Sequence, residues 1–564
     1  MLPSRLSSGS IPFAIAVPTL VLIASLLVFH HTTIASGFAL TQGEFGDSML
    51  VNYALEHDYR WLAGNRLDNS LWSPPIFYPQ HDTAAYTDLM LGALPPYAFW
   101  RMYGAQPMTA FQLWMITVSA LNFLSAYWLL RYVLECGWIG SSAGALLFAF
   151  GSPRIIQIGH PQLLPAFYMV IAFAGVVMLF KNVPDACTPR RVYVGLTLFL
   201  GGFCLQFYSA FYYAWFMAFT VVLGLVFAFL LPGSRSHVVS FIRHWWRASF
   251  IAGFLAALVI APYIVVAWRV LRQVGGYPYF YLTRFLPSTK AWLAQGPDHL
   301  FYGTLNRWAG VGPDYGSREM FDGIGLLTTA LVILGFILFR ARPLVRLWGL
   351  VTLSVILLSY HLPGDYSLWH IVYACFPGAS AVRCVGRIGL YLLLPASIAL
   401  AFLLDRIGAR FSIAAIACLL AVGLEQAGSL HDAAQHGKAA AQASVADVTR
   451  HIGPECGALL FSWSRAWTSP EIMQIIGMWA ELRTGVPSLN GYSGQFPPHW
   501  PLTDVSVSNV AERDQMRQNI ERWMASHPAD FKNVCWVLPE DGVKPRSSMV
   551  VLSLPDAAGG KGLP

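Results

Sequence analysis

Long apolar stretches separated by short polar loops dominate the chain from its start to about residue 430. A membrane-spanning helix needs about 17 to 25 predominantly apolar residues. The pattern therefore predicts about eleven transmembrane helices, of which the third and fifth are short. The apolar windows lie near 12–31, 108–130, 138–152, 163–180, 192–207, 210–231, 249–268, 323–339, 344–360, 388–404 and 411–428.

The basic residues of the short loops give the chain a direction. They fall on one side if the spans alternate from a cytoplasmic N-terminus. The segment Leu89–Tyr103 is also apolar, but it contains Pro95 and Pro96, and counting it as a span would invert every later loop. We expect it to form an interfacial helix on the outer leaflet. The first window is an anchor in this topology, with a cleaved signal peptide as the alternative.

The hydropathy falls after residue 430, where the pattern becomes that of a small water-soluble module. Stretches 458–461, 534–538 and 549–554 are typical of strands, and 471–482 and 515–525 are typical of helices. Lys438–Ala446 is expected to be an Ala-rich linker. The predicted fold is an all-α polytopic membrane domain, residues 1–430, followed by a small extracytoplasmic α/β domain, residues 431–564. The outer loop 32–107 carries interfacial helices.

Composition narrows the class of protein. Hydrophobic residues make up 56% of the 564 residues and charged residues only 12%, whereas soluble domains carry about 25% charged residues. A single water-soluble domain is thereby excluded. The net charge of +7 is spread over short loops rather than along one stripe, so no nucleic-acid partner is expected. Cys375 with Cys384, and Cys456 with Cys535, fall in outer segments and are candidate disulfides, with unpaired thiols as the alternative.

Two carboxylates stand just after the first apolar window. Glu44 and Asp47 lie in the run Gly43-Glu44-Phe45-Gly46-Asp47. Acidic groups are costly to hold near hydrocarbon, so they usually mark chemistry or ion handling. The alternative is that the pair caps a helix or sets an interfacial charge. Together with the composition, the pair predicts an integral membrane enzyme.

Basic and polar residues at two other outer turns are candidates for binding. His160 and Gln162 follow the third window. Arg383 and Arg387 precede the tenth window, and a helical spacing of four would place them on one face. Guanidinium groups bind phosphate through paired donors, although snorkelling to lipid headgroups explains them equally well.

Two further groups of polar residues lie in outer segments. Arg318, Glu319 and Asp322 precede the eighth window, and an ordinary ion pair is the favoured interpretation of that cluster. Tyr86 and Asp88 belong to a loop rich in Pro, Tyr and Trp that is expected to fold against the membrane. The stretch 483–494, rich in Gly, Ser, Asn and aromatic residues, forms turns that can stack on sugar rings, although a plain surface loop explains it equally well; no catalytic role is assigned to it.

The order and sidedness of these features resemble the GT-C superfamily of glycosyltransferases, which take sugars from polyprenyl-phosphate donors. Bacterial protein O-mannosyltransferases and aminoarabinose transferases are enzymes of this type. The residues that carry the resemblance are Glu44 and Asp47, the segment Leu89–Tyr103, and the run Gly159-His160-Pro161-Gln162. The resemblance covers roughly residues 1–430 and only loosely the C-terminal module.

The resemblance implies an inverting transferase in a bacterial inner membrane, with its active site on the periplasmic side. Asp47 would act as general base and Glu44 would assist it. A divalent metal ion is left open, with Asp47 and His160 as candidate ligands. The candidate residues for donor phosphate or substrate are His160, Gln162, Arg383, Arg387, Arg318, Glu319, Asp88 and Tyr86.

The partners that follow are the lipid bilayer, a polyprenyl-phosphate-linked sugar, and a lipid, protein or polysaccharide acceptor. Two alternatives stay open. One is a lipid-linked glycan polymerase or ligase, in which outer arginines dominate and Asp47 is dispensable. The other is a flippase or transporter of lipid-linked glycans, which normally buries charges in mid-span and often shows repeated halves.

Overall fold

The structure is a computed structural model that describes residues 11–64, 70–181, 188–311, 318–430, 433–539 and 547–553. The chain forms two compact units. The first, unit 1, contains residues up to Phe38, Ala110–Ala261 and Gly276–Gln435. The second, unit 2, contains Ala39–Thr109, Pro262–Gly275 and the residues from His436 onward.

The described elements are mostly helical. The helices are α1 Ile11–Phe29, α2 His31–Ala35, α3 Phe45–Leu62, α4 Leu94–Met102, α5 Pro107–Trp128, α6 Trp138–Phe150, α7 Ser152–Ile156, α8 Phe167–Lys181, α9 Pro189–Phe207, α10 Phe211–Leu230, α11 Pro232–Val274, α12 Tyr279–Leu282, α13 Thr289–Leu293, α14 Gly303–Trp308, α15 Leu326–Phe339, α16 Pro343–Ser359, α17 Trp369–Cys375, α18 Ile388–Gly408, α19 Ser412–Ala427, α20 Lys438–Thr449, α21 Pro470–Thr484 and α22 Val510–Ser526. The strands are β1 Leu40–Gln42, β2 Gln435–Gly437, β3 Ala458–Phe461, β4 Asn533–Pro539 and β5 Ser547–Ser553.

Every predicted apolar window falls on one of these helices. Within the described residues, six helices are long and apolar enough to cross a membrane, and four apolar helices are shorter. Both sets identify a multi-pass membrane protein. The helix α11 runs for 43 residues, well beyond the predicted window 249–268, and few residues of its most apolar stretch are buried.

Helices α6 and α18 form the centre of unit 1. The most apolar stretch of α6 is fully buried, and that of α18 nearly so. Gly140 and Gly144 of α6 have no Cβ atom, and one at either position would collide with a backbone carbonyl of α18, at Ala401 or Ser397. Small residues one turn apart let membrane helices approach closely, which replaces the hydrophobic drive that lipid does not supply.

The segment predicted as an interfacial helix forms α4, only nine residues long. Its prolines occupy the first helical turn, where a missing backbone N–H costs nothing. A helix of this length rises about 14 Å, too little to span a bilayer. Tyr97 and Arg101 of α4 both bond the carboxylate of Glu56 on α3, at 2.8 Å each. The segment is not a membrane-spanning helix, as predicted.

The C-terminal part of unit 2 is an α/β arrangement. Strand β4 lies in the middle of a three-stranded sheet, parallel to β3 and antiparallel to β5. Its residues Val534–Leu538 are buried, as expected of a central strand covered on both faces. A disulfide joins Cys456 to Cys535, which confirms one of the two candidate pairs.

Two expectations for this half of the chain are wrong. Cys375 and Cys384 are free thiols, the first exposed and the second buried, so they are not bridged. The Ala-rich segment predicted as a linker is the helix α20. Alanine has the highest helix propensity of all residues, and Val445 and Val448 give α20 a buried face.

Helix α3 joins the early part of unit 2 to the helix α21. Tyr53 donates a hydrogen bond to Glu481 at 2.5 Å, and Trp479 donates to the carbonyl oxygen of Met49 at 3.1 Å. Ten of the 18 residues of α3 are buried, and several of them are polar. This helix is therefore a core element of unit 2 rather than a surface helix.

Asp58 of α3 predicts a pH dependence of stability. Burial raises its pKa to about 7, although the nearby His57 lowers it. The folded chain thus keeps a proton that the unfolded chain releases near the ordinary value of 3.8. As the pH rises between these two values, Asp58 lowers the free energy of unfolding by about 1.4 kcal/mol per pH unit. Asp58→Asn should remove that dependence and stabilise the protein at pH 8 more than at pH 5.

Chemical denaturation of the full chain at pH 5 and pH 8 measures the effect. The matched control is Asp530→Asn, which replaces an exposed aspartate of the same unit. A stability difference between Asp58→Asn and the parent that is the same at both pH values would contradict the assignment of a buried, protonated carboxyl.

Candidate functional site

Glu44 and Asp47 lie at the N-terminal end of α3. Glu44 is the residue that precedes the helix, and it is exposed and makes no side-chain capping hydrogen bond. Asp47 lies in the first turn and is half-buried. The unpaired N–H groups and the dipole of a helix N-terminus favour negative charge at these positions. The helix-capping alternative therefore accounts for the position of both acids, although the side chain of Glu44 makes no capping hydrogen bond.

Asp47 receives a hydrogen bond from a residue that sequence reasoning passed over. The hydroxyl of Tyr492 donates to Oδ1 of Asp47 at 3.1 Å. A Cβ atom at Gly46 would lie 3.3 Å from the same hydroxyl, so the absence of a side chain there makes room for the ring. Tyr492 belongs to the stretch 483–494, for which sugar stacking and a plain surface loop were equally good interpretations; the structure adds a contact with Asp47. An aromatic residue between glycines was the available signal.

The loop that carries Tyr492 is fixed by a buried asparagine. The amide of Asn490 donates to the carbonyl oxygen of Phe461 at 3.0 Å and accepts from its N–H at 2.7 Å. Gln474 accepts from Asn490 and from the N–H of Gly491, both at 3.0 Å. These bonds tie the loop to β3 and α21. They hold Tyr492 in place for its contact with Asp47.

A second polar cluster lies in unit 1 and joins three predicted residues. Glu319 accepts from Nε of Arg387 at 3.0 Å and also from its Nη2. Nε2 of His160 lies 3.5 Å from the same carboxylate oxygen. Burial alone would raise the pKa of Glu319, but Arg387, His160 and Arg383 lower it to about 2. Glu319 thus forms an ion pair, but with Arg387, about 70 residues away in sequence, and not within the predicted cluster of Arg318, Glu319 and Asp322.

The ion pair changes the interpretation of the two arginines. Arg387 is 3% exposed and its guanidinium also stacks 4.5 Å from the ring of Tyr212, so it does not snorkel to the surface. The expected shared helical face is wrong as well. Arg383 lies in an extended stretch and α18 begins only at Ile388. Arg383 is half-buried and therefore the more accessible of the two.

Asp322 is a buried carboxyl beside Glu319 with the opposite behaviour. Neither carboxyl oxygen has a hydrogen-bond partner among the described residues. Burial and the charge of Glu319 raise the pKa of Asp322 well above its ordinary range. A side chain at Gly389, in the first turn of α18, would collide with this carboxyl. The two neighbouring acids are thus held in different states, Glu319 ionised and Asp322 protonated.

The remaining predicted residues lie in several places. Gln162 is buried in the turn Pro161–Leu163 of unit 1. Asp88 is half-buried in unit 2, and Tyr86 is 2% exposed with its ring 5.7 Å from that of Phe77. Tyr86 is thus a core residue, and burial, with Asp82, raises its pKa to about 12. Arg318 begins the turn at Glu319, but its side chain lies outside the described residues.

A metal site was left open by the sequence. In the part of the chain that the structure describes, no three His, Cys, Asp or Glu side chains come together in a way that could hold a metal ion. His160 and Asp47, the two candidate ligands, belong to different compact units. Glu319, the carboxylate nearest His160, already binds a guanidinium.

Three solved structures match this chain in a comparison of folds. An oligosaccharyltransferase from Archaeoglobus fulgidus, in complex with zinc and sulfate, matches with a TM-score of 0.50 and 12% identity, over 92% of this chain and 68% of that one. ArnT from Cupriavidus metallidurans matches in the apo state with a TM-score of 0.43 and 13% identity, over 96% and 98% of the two chains. The structure of ArnT bound to undecaprenyl phosphate matches with a TM-score of 0.41 and 11% identity, over 95% of this chain and 94% of that one.

No family model matches the sequence, and no curated protein matches it. The predicted resemblance is confirmed at the level of the fold alone, by the likeness to the oligosaccharyltransferase.

The ion pair between Glu319 and Arg387 can be tested by comparing substitutions at Glu319 and at its neighbour Asp322. Glu319→Gln should lower the free energy of unfolding by about 3 to 5 kcal/mol, because it leaves the Arg387 guanidinium buried without a charged partner. Asp322→Asn replaces a neighbouring acid that is already protonated, so it should leave stability nearly unchanged. Chemical denaturation near pH 7 compares the two, and equal losses would contradict the assigned charge states.

The pH dependence of the same pair has a defined sign. The pKa of Glu319 is lowered, so its stabilising contribution is complete above the ordinary value of 4.5 and is lost as the pH falls towards 2. In Glu319→Gln that acid-dependent component should be absent.

Proposed function

We propose that the chain is an integral membrane glycosyltransferase that moves a sugar from a polyprenyl-phosphate donor to an acceptor on the outer face of the membrane. The GT-C fold supports the class of enzyme. The observation that carries the proposal is the position of Asp47. It is a half-buried carboxylate in the first turn of α3, directed by the Tyr492 hydroxyl from a rigid loop.

The chemistry is a single displacement at the anomeric carbon. The acceptor oxygen or nitrogen attacks that carbon while its proton passes to a carboxylate oxygen of Asp47. The bond between the anomeric carbon and the phosphate oxygen breaks, and the polyprenyl phosphate leaves with the electron pair. Attack opposite the leaving group inverts the anomeric configuration. The Tyr492 hydroxyl orients Asp47 by donating a hydrogen bond to its Oδ1, and Glu44 assists at the helix terminus.

The donor phosphate needs a cation, and the proposal assigns this role first to Arg383. Arg387 is already bound to Glu319, whereas Arg383 is half-buried and close to the same group of charges. His160 and Gln162 contribute polar contacts at the neighbouring turn. Roles for Arg318 and Asp88 in substrate binding remain part of the proposal. Tyr86 supports the core beneath its own loop.

The outer face is the proposed location of unit 2. Its Cys456–Cys535 disulfide supports that side, because disulfides persist in oxidising compartments such as the periplasm. We propose a bacterial inner membrane as the host membrane. The acceptor is a lipid, a protein or a polysaccharide. A polymerase or ligase of lipid-linked glycans is distinguished by the experiment on Asp47.

Asp47→Asn should lose roughly 100- to 10,000-fold in turnover, the range that a positioned general base supplies. Its affinity for polyprenyl phosphate should stay at the parental value. The measurement is transfer of labelled sugar by purified protein, with lipid binding assayed in parallel. The matched control, Tyr492→Phe, keeps the carboxylate and should lose no more than about tenfold through one hydrogen bond. Transfer by Asp47→Asn at the parental rate would refute the general base and favour the ligase.

The proposed membrane topology predicts from which side of the membrane the thiol of Cys375 can be labelled. Cys375 is exposed on α17, within the predicted outer segment 361–387. A membrane-impermeant maleimide should label it in intact cells whose outer membrane has been made permeable, and Cys375→Ser should abolish that labelling. The Cys456–Cys535 pair should react only after reduction. Labelling of Cys375 that requires lysis of the inner membrane would reverse the proposed topology.

A further inference from the structure

The segment 295–310 of unit 1, here called the strap, is fixed in the core at both of its ends. Ala294 and Val311, the residues that flank it, are both buried in one apolar cluster. Within the strap, the side-chain amide of Asn306 donates to the carbonyl oxygen of Gly296 at 2.7 Å. This bond joins the two halves of the strap, so its conformation is set by the fold.

The middle of the strap is bonded to the ends of two apolar helices, α19 and α15. The backbone N–H of Leu300 donates to the carbonyl oxygen of Gly428, the residue that follows α19, at 2.8 Å. The hydroxyl of Tyr302 donates to the carboxylate of Glu425, in the last turn of α19, at 2.6 Å. The same carboxylate accepts the N–H of Leu327, in the first turn of α15, at 2.9 Å. The strap therefore lies at the level where α19 ends and α15 begins.

The strap carries an exposed apolar surface. Four of its large apolar side chains are exposed: Leu300, Phe301, Leu305 and Trp308. Trp308 is 85% exposed, and with Leu305 three positions earlier it shares one face of α14. Leu424 lies one turn before the end of α19 and is 63% exposed. The apolar surface of the strap thus continues the exposed apolar surface of a membrane helix.

Polar groups accompany these apolar side chains. Arg307 and Asp298 are exposed, and Nη1 of Arg307 lies 3.2 Å from Oδ1 of Asp298. Tryptophan is enriched at membrane–water interfaces because its ring is apolar and its N–H is polar. Apolar side chains beside charged groups, at the end of membrane helices, are typical of a segment that lies in the interface.

We infer that the strap inserts Leu305 and Trp308 into the lipid leaflet at this end of α15 and α19. The two side chains contact the acyl chains near the headgroups, and the ion pair of Arg307 with Asp298 stays among the headgroups. The occupant is lipid because the strap continues the surface of α19, which lipid covers in a multi-pass membrane protein. The inference goes beyond the proposed function and does not depend on it.

The test is electron paramagnetic resonance of spin-labelled full-length protein in vesicles of phosphatidylethanolamine and phosphatidylglycerol. A nitroxide is attached to Leu305→Cys or to Trp308→Cys, each in a Cys375→Ser background that lacks one exposed native thiol. The residual signal of that background is subtracted. Because both side chains are exposed, their replacement leaves the core intact. The measured quantity is the collision rate of each nitroxide with oxygen and with a water-soluble nickel chelate.

Two control positions give the reference values for lipid and for water. Leu420→Cys replaces an exposed leucine of α19 and reports lipid. Gln518→Cys replaces an exposed residue of α22 in unit 2 and reports water. Oxygen concentrates in hydrocarbon, which excludes the nickel chelate. The ratio of oxygen to nickel collisions at Leu305 and at Trp308 should therefore be at least about threefold that at Gln518, approaching the ratio at Leu420.

Two results would refute the inference. A ratio at Leu305 or Trp308 equal to that at Gln518 would place the strap in water. Low collision rates with both reagents would show that a protein surface, such as a second copy of the chain, covers the strap. The experiment does not measure sugar transfer, so its outcome and that of the enzyme proposal are read separately.

Discussion

A chain with so few charges, folded largely from apolar helices, must give each buried charge a partner, because an isolated ion in such surroundings costs several kcal/mol. Most buried charges obey this rule. Glu56 holds α4 against α3 through Arg101 and Tyr97, and Glu319 binds Arg387 at the start of α18. Glu425 accepts the N–H groups of Leu327 and Thr328 at the start of α15. These contacts fix where helices begin.

Two buried groups, Asp322 and Arg154, satisfy the constraint in other ways. Asp322 meets the constraint by keeping its proton, so its burial requires no counter-ion. Arg154 keeps its charge, because a guanidinium does not lose its proton in a protein. It donates to the carbonyl oxygen of Phe148 and to the hydroxyl of Tyr213. Asp47 differs from both, since it stays half-buried and is directed by a hydroxyl.

Local patterns predicted much of the fold. Hydropathy is a property of neighbouring residues, so the apolar windows, the strands β3 to β5 and the helices α21 and α22 were found where expected. Helix α3 gave no such signal, because its buried face carries polar residues such as Asn52 and Glu56 that long-range partners satisfy. The prediction that Arg383 and Arg387 share a helical face, made from their spacing of four residues, was wrong for a related reason. Spacing predicts a shared face only inside a helix, and α18 starts after both residues.

The candidate site was predictable only in part. Asp47, His160, Glu319 and Arg387 stood out as polar groups in an apolar chain, yet their partners could not be read from sequence. Tyr492 and Asp47 are separated by more than 400 residues. The loop that unites them depends on Asn490, whose contacts to Phe461 and Gln474 no local rule indicates. Arg154 lies just after the apolar window 138–152, where a single arginine is typical of the end of a span.

The central claim is a single displacement at the anomeric carbon of a lipid-phosphate sugar. The anomeric configuration of the product, read by proton nuclear magnetic resonance after transfer from a donor of known configuration, tests it most directly. The account predicts the opposite configuration, with one polyprenyl phosphate released for each sugar transferred. Retention of configuration, or transfer without release of the lipid phosphate, would contradict it.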